Sequence, residues 1–167
     1  MNDGKGDIKI MKRAVLFIIA VLFLISGAAN GNTKGIGLGV IAGEPTGLSL
    51  KKWIDGRSAV DGALAWSFVD GTSFQTHIDY LRHRYDMTKQ TNEQLPFYYG
   101  VGGRIALTEK GKKDDDVRIG VRIPIGLAYM FKDEPVDIFI ERAPVIDIIP
   151  ETEFNLNGAV GVRVYLK

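Results

Sequence analysis

The 167-residue chain contains no cysteine. This absence excludes a disulfide scaffold, a cysteine-ligated metal and a thiol nucleophile. The chain also has no large excess of positive or negative charge, since 21 Lys and Arg residues nearly balance 20 Asp and Glu residues. The balance gives no electrostatic argument for a nucleic-acid partner, so none is expected. The length is that of a single domain.

Long apolar runs are scarce, and the one that is present lies near the N-terminus. Lys12 and Arg13 precede the apolar run Ala14–Ile25. The small residues Gly27 and Ala29 follow it, at the positions that a signal peptidase reads before cleavage after Ala29. A charged region, an apolar core and small residues in this order are typical of a secretory signal peptide.

The predicted organisation is therefore a signal peptide at 1–29 and a mature domain at 30–167. An uncleaved anchor is the alternative, although the run is shorter than the roughly 20 residues that a membrane-spanning helix needs. Met11 stands directly before the basic pair, so residues 1–10 fit an extension from an upstream start codon.

The mature chain has no second long apolar run and alternates apolar residues with small or polar ones. Such alternation, in segments of about 10 residues, is typical of the strands of a transmembrane barrel. In Val117–Phe131 every second residue is apolar, while Arg118 and Arg122 lie on the opposite face among small residues. Six further segments repeat the pattern: Ile36–Gly43, Leu48–Ile54, Ala59–Val69, Ser73–Tyr85, Phe97–Leu107 and Phe154–Leu166. An eighth segment, Val136–Ile149, repeats it less regularly.

Most connections between these segments are short and rich in Gly, Pro or Asp, as hairpins require. The fold class predicted is all-β: an eight-stranded antiparallel up-and-down transmembrane β-barrel. The even number of strands places both ends of the barrel chain on the periplasmic side. Pro144 cannot donate a ladder hydrogen bond, so we expect a bulge or bend near Ala143-Pro144.

With the apolar faces toward lipid, the charged residues of the strands point into the lumen. An eight-stranded barrel is just wide enough for side chains to fill its interior. Unpaired ionised groups there are costly, which predicts a lumen plugged by a salt-bridge network, with a narrow pore for ions or small solutes as the alternative. The predicted network comprises Lys51, Asp61, Asp79, Arg104, Arg118, Arg122, Glu141, Asp147 and Arg163.

Aromatic residues with outward parity lie toward the ends of the segments. Girdles of aromatic side chains at the two membrane interfaces have this placement, and ordinary core aromatics are the alternative. Arg82 and Arg84 share the outward parity but lie nearer a turn, within reach of headgroup phosphates. The predicted interface aromatics are Trp66, Phe68, Tyr80, Phe97, Tyr99, Tyr129 and Phe131.

Both histidines, His77 and His83, have inward parity. Asp79 shares that face, but no third metal ligand accompanies them, so no metal site is expected. A lipid hydrolase would need Ser and His facing lipid, whereas His77 and Ser67 point inward. We therefore expect no catalytic or cofactor site and no enzyme activity, with a lipid hydrolase as one alternative. A soluble lipocalin-like barrel, which reverses the two faces, is another.

Four stretches carry a family resemblance: Gly37–Lys51, Tyr98–Gly102, Gly120–Leu127, and Asp137–Glu141 with Pro144-Val145. Together they resemble the small, mostly uncharacterised bacterial outer-membrane β-barrel proteins that are distantly related to the OmpA-type transmembrane barrel. The resemblance implies a Gram-negative outer-membrane location reached through the periplasm and no established catalytic residue. The partners expected are outer-membrane lipid and, during biogenesis, the outer-membrane insertion machinery, with the barrel itself a monomer. The C-terminal Lys167 departs from the aromatic residue that usually ends such barrels.

Overall fold

The computed structural model describes residues 35–67, 73–85, 95–109, 115–132 and 134–166. Every regular element in these ranges is a β-strand, and every strand pairing is antiparallel. The predicted signal peptide lies outside the described residues, as does Phe68 of the predicted interface aromatics.

The strands form one closed sheet. Strands that follow one another along the chain pair with each other, except for the sixth and seventh, and the ring closes where the first strand pairs with the last, from Ile36 opposite Leu166 to Glu44 opposite Gly158. The predicted all-β, antiparallel up-and-down barrel is confirmed. Its strands are β1 Ile36–Glu44, β2 Thr46–Trp53, β3 Ser58–Ser67, β4 Ser73–Arg84, β5 Phe97–Glu109, β6 Asp115–Arg122, β7 Ile125–Met130, β8 Val136–Ile149 and β9 Glu153–Leu166.

Strands β6 and β7 together occupy one position in the ring, because both lie between β5 and β8. The interruption falls at Pro124, which has no N–H to donate to a ladder. The Pro124 carbonyl still accepts a hydrogen bond from the Gly100 N–H at 2.9 Å. The barrel therefore has eight strand positions, as predicted, with one strand divided in two.

We predicted a bulge or bend near Ala143-Pro144, and this position is wrong. Strand β8 runs through Pro144 with unshifted pairing to β9, and the Ile123 N–H donates to the Pro144 carbonyl at 3.0 Å. The missing N–H of Pro144 faces the gap between β6 and β7, where the ladder is already interrupted. The register shift lies instead further along the β6–β8 ladder, where the adjacent residues Ile119 and Gly120 pair with residues 149 and 147, so that Ile148 of β8 is the extra residue.

The two faces of the sheet are chemically opposite. Apolar side chains face outward, with Ile78 and Phe154 each 67% exposed, while Lys51 and Asp79 on the inner face are fully buried. This is the reverse of the arrangement that the soluble lipocalin-like alternative requires. Among the described residues, Arg142 in the middle of β8 is an exception to this division, because its charged side chain lies on the outer face. Its Nε would be 4.0 Å from a Cβ atom added to Gly158.

Glycines on the inner wall make room for large side chains. A Cβ at Gly126 would collide with the Tyr98 ring, and a Cβ at Gly161 would collide with the ring of Phe139. The small residues of the inner face thus allow aromatic and charged side chains to fill the narrow lumen.

Candidate functional site: a charged and filled lumen

The upper end of the barrel is defined here as the end that carries the β1–β2 and β8–β9 turns. Near it, Arg104 of β5 contacts Asp147 of β8, with Nη2 and Oδ2 2.5 Å apart. The same carboxylate oxygen accepts a hydrogen bond from Asn155 at 2.9 Å. Arg104 also donates to the side-chain oxygens of Gln75 and Asn157, each at 3.4 Å. This upper cluster joins strands β4, β5, β8 and β9.

The centre of the lumen is organised by Arg122 of β6. Its Nε donates to Asp79 of β4 at 2.6 Å, and its Nη2 donates to Glu141 of β8. Glu141 also accepts the hydroxyl proton of Tyr98 at 2.9 Å. One guanidinium thus holds two carboxylates that come from strands on either side of β6, and all these side chains are buried.

Below this centre, Arg163 of β9 faces Asp61 of β3. Its Nη2 contacts both carboxylate oxygens, at 2.9 and 3.0 Å, and its Nε donates to Ser49 Oγ at 2.9 Å. The guanidinium lies 3.7 Å above the Phe139 ring centroid, a cation–π contact. Its Nη1 is 3.7 Å from Asp137, so this arginine contacts two carboxylates as well.

Lys51 lies lowest in the network and is fully buried. Its Nζ is 2.9 Å from His83 Nε2 and 4.0 Å from Asp137 Oδ2. Because an ammonium group only donates, the histidine nitrogen must accept, which leaves Nδ1 to donate to the Arg57 carbonyl at 3.3 Å. The ammonium also lies 4.7 Å from the Trp53 ring centroid.

Eight of the nine residues predicted for the network are thus buried in the lumen. Arg118 lies apart from them at the upper rim, where its Nη1 is 3.2 Å from Glu153 Oε2 and the two side chains are 21% and 56% exposed. Every second residue of a strand faces the lumen. This alternation does not tell at which height along the barrel axis a residue lies.

Sequence reasoning missed several members of the network. Asp137 is buried, and its carboxylate accepts the hydroxyl proton of Tyr165 at 2.5 Å. The signal was available, because Asp137 has the same parity as Glu141. Tyr98 could have been predicted in the same way, because it alternates with Phe97 and Tyr99, which face outward.

Little free space remains around the Arg122 centre. The cavity beside Arg122, His77 and Asp61 has a volume of about 10 Å³. A single water needs about 10–15 Å³ of such space. The cavity therefore holds no solute larger than one water.

The outward aromatic residues form two bands. Trp66 packs against Phe74 near the upper end, with ring centroids 5.7 Å apart. At the lower end the pairs are Phe97 with Tyr99 and Tyr129 with Phe131, at 6.1 and 4.8 Å. Tyr80, 46% exposed, also lies in the lower half of the barrel.

Both histidines are buried on the inner face, which removes His77 from any contact with lipid. Within the described residues, no group of three or more His, Cys, Asp or Glu side chains is arranged to hold a metal ion. A search of the same residues for helices found none long and apolar enough to cross a membrane.

Comparison with solved structures identifies the class of fold. The chain is similar to the N-terminal β-barrel domain of Pseudomonas aeruginosa OprF, with 11% identity and a TM-score of 0.56 over 77% of this chain and 93% of that one. It is also similar to Neisserial surface protein A (NspA), with 14% identity and a TM-score of 0.52 over 78% of this chain and 93% of that one.

No protein-family model and no curated protein matches the sequence. The two likenesses therefore establish the fold: a small closed up-and-down barrel. They support, at the level of fold, the resemblance to OmpA-like barrels that the sequence motifs indicated.

Proposed function

We propose that the protein is exported to the outer membrane and inserts there as a monomeric barrel with a structural or interaction role. The apolar outer face between two aromatic bands supports this proposal, because lipid-facing walls have this composition. The inner face carries the charges, and a protein in water would place them on the outside.

The observation that carries the proposed role is the Arg122 centre. Its guanidinium lies between Asp79 and Glu141 and occupies the middle of the lumen. The clusters around Arg104 and Arg163 fill the lumen above and below it. A lumen filled in this way holds the barrel strands together and leaves no open path for solutes, while the apolar outer face anchors the barrel in the membrane.

Two measurements test this proposal. The full-length protein should stay in the membrane pellet after carbonate washing, and it should migrate differently on a gel before and after boiling. Release by carbonate would overturn the membrane location. In planar bilayers the purified barrel should show no solute-sized conductance steps.

A deliberately opened variant makes the conductance result interpretable. Substituting Asp79→Ala, Arg122→Ala and Glu141→Ala together removes the three central side chains. This variant should conduct, whereas the parent should not. Solute-sized steps from the parent would overturn the plugged lumen and favour the narrow pore.

We further propose that the protein is not an enzyme. The burial of His77 on the inner face supports this, because a lipid hydrolase needs its histidine at the lipid-facing surface. Phospholipid hydrolysis that is lost in His77→Ala, with gel migration of the folded form retained, would overturn the proposal.

A further inference from the structure

An open cleft lies on the lower end of the outer wall, away from the lumen network. Its volume is about 210 Å³, which far exceeds the roughly 10–15 Å³ that one water needs. It is lined mainly by Arg57, Arg82, Arg84, Tyr85 and Tyr99. Three of these side chains are guanidinium groups, and no carboxylate is among the described residues that line the cleft.

Strand pairing builds the cleft from three separate elements. Arg82 and Arg84 alternate on the outer face of β4, and Arg82 lies opposite Tyr99 of β5. Arg57 belongs to the β2–β3 turn, where its carbonyl accepts the His83 N–H at 2.7 Å. The backbone positions of the three arginines are thus set by β4 and by the short β2–β3 turn.

Among the described residues, the carboxylate of Asp55 interacts with Arg82 and offsets part of this charge. It accepts the backbone N–H groups of Arg57 at 2.6 Å and Ser58 at 2.7 Å. These hydrogen bonds lower the pKa of Asp55, since they stabilise its charged form. Arg82 donates one hydrogen bond to Ser58 Oγ at 3.0 Å and remains exposed.

The cleft lies at the depth where the apolar wall ends. Down the outer face of β4, the exposed side chains change from Ile78 and Tyr80 to Arg82 and Arg84. Tyr99 lies beside them and stacks against Phe97 in the lower aromatic band. Aromatic bands mark the headgroup region, so the guanidinium groups lie where lipid phosphates are found.

We propose that this cleft binds the phosphate group of a membrane phospholipid in the leaflet at the lower end of the barrel. Guanidinium groups bind phosphate oxygens through paired, charge-assisted hydrogen bonds, which suits a site with three arginines. The tyrosine rings would contact the glycerol and upper acyl region of the same lipid. This inference rests on the proposed membrane insertion.

The test uses the full-length barrel in detergent micelles and dioctanoyl phosphatidylglycerol as the probe, with bound lipid counted by native mass spectrometry. The parent should bind one lipid in preference to dioctanoylglycerol, which lacks the phosphate. Substituting Arg82→Gln and Arg84→Gln together should weaken binding by roughly tenfold or more, because charge-assisted hydrogen bonds are lost. Arg57→Gln, which leaves β4 unchanged, should weaken it in the same direction.

The matched control is the double variant Lys52→Gln and Lys132→Gln. It removes the same number of positive charges from exposed positions at the lower end but outside the cleft, and it should bind the lipid as the parent does. Equal loss in both double variants would show a nonspecific charge effect and overturn the proposal.

The remaining outcomes distinguish an error in the lipid assignment, an error in the location of the site and an error in the proposed function. Competition by millimolar inorganic phosphate would identify a site for the free anion and overturn the lipid assignment. Retained lipid binding by variants that still migrate as folded, membrane-inserted barrels would overturn the cleft and leave the proposed function intact. Release of the parent from membranes by carbonate would instead overturn the proposed function.

Discussion

Replacement of Arg122 by methionine provides the sharpest test of the lumen network. The arginine is 2% exposed and hydrogen-bonds two carboxylates, those of Asp79 and Glu141, which are 0% and 6% exposed. Methionine keeps much of the side-chain length but provides no charge. The substitution therefore leaves two buried carboxylates without their common partner.

Removing one partner of a buried ion pair costs about 3–5 kcal/mol. Because two carboxylates lose their partner here, we expect Arg122→Met to lower the free energy of unfolding by an amount at the upper end of that range. A loss of about 4 kcal/mol corresponds to roughly a thousandfold change in the equilibrium constant. Urea titration of the barrel in lipid vesicles, followed by tryptophan fluorescence and by gel migration, measures this loss.

Arg118→Met is the matched control. It removes the same chemical group from the rim, where the pair with Glu153 is partly exposed. Exposed pairs contribute about 0–1 kcal/mol, so this variant should unfold nearly as the parent does. Equal losses in the two methionine variants would refute the account of the lumen as a site of buried, paired charge.

A compensating variant separates charge from packing. Adding Asp79→Asn and Glu141→Gln to Arg122→Met removes the uncompensated carboxylate charges with little change in side-chain volume. Most of the lost stability should return. A triple variant as unstable as Arg122→Met would show that the loss came from packing around the arginine.

Three further predictions concern the wall and one turn. A lipid-facing arginine at the bilayer midplane costs about 2–4 kcal/mol, so Arg142→Leu should stabilise the inserted barrel by about that amount. Urea titration in vesicles measures the change, and a destabilised variant would contradict the midplane location. Gly126→Leu should sharply reduce the folded fraction on unboiled gels, because its side chain would overlap the Tyr98 ring; unchanged yield would contradict the close packing. Asp55→Asn should lower the urea midpoint at neutral pH. Because the folded-state pKa of Asp55 is depressed, its contribution is present above the ordinary carboxyl pKa and is lost as the pH falls through the depressed value, so the two proteins should converge in acid.

Alternation of residue types was sufficient to predict the strands. Val136–Ile149 was predicted with the bounds that the structure has, although its alternation is less regular than that of the other segments. In those segments the apolar residues recur with the period of two that a sheet with two opposite faces imposes. Proline was harder to interpret. The effect of Pro144 depends on what its missing N–H would face, and here that is the gap between β6 and β7, where Pro124 lies.

The charge network was predictable in composition but not in its pairings. Parity places Arg118 and Arg122 on the same face, yet one is at the rim and the other at the centre. The partner of each charge depends on strand register and tilt, which link residues far apart in the sequence. Asp137 shows the same limit, because its contacts with Lys51 and Arg163 come from strands at opposite ends of the chain.

The pair of Asp61 and Arg163 has a consequence for how the barrel assembles. The aspartate enters the sheet on the third strand and the arginine on the ninth, with 102 positions of chain between them. Within the first hairpins the aspartate lies opposite Lys51 of β2, whereas its guanidinium partner arrives only with the final strand. Closure in the right register brings the two together, whereas a one-residue slip would turn the arginine toward the outside. The last strand therefore brings an arginine to a carboxylate that the first hairpins have already placed, so the charge network is complete only when the ring is closed.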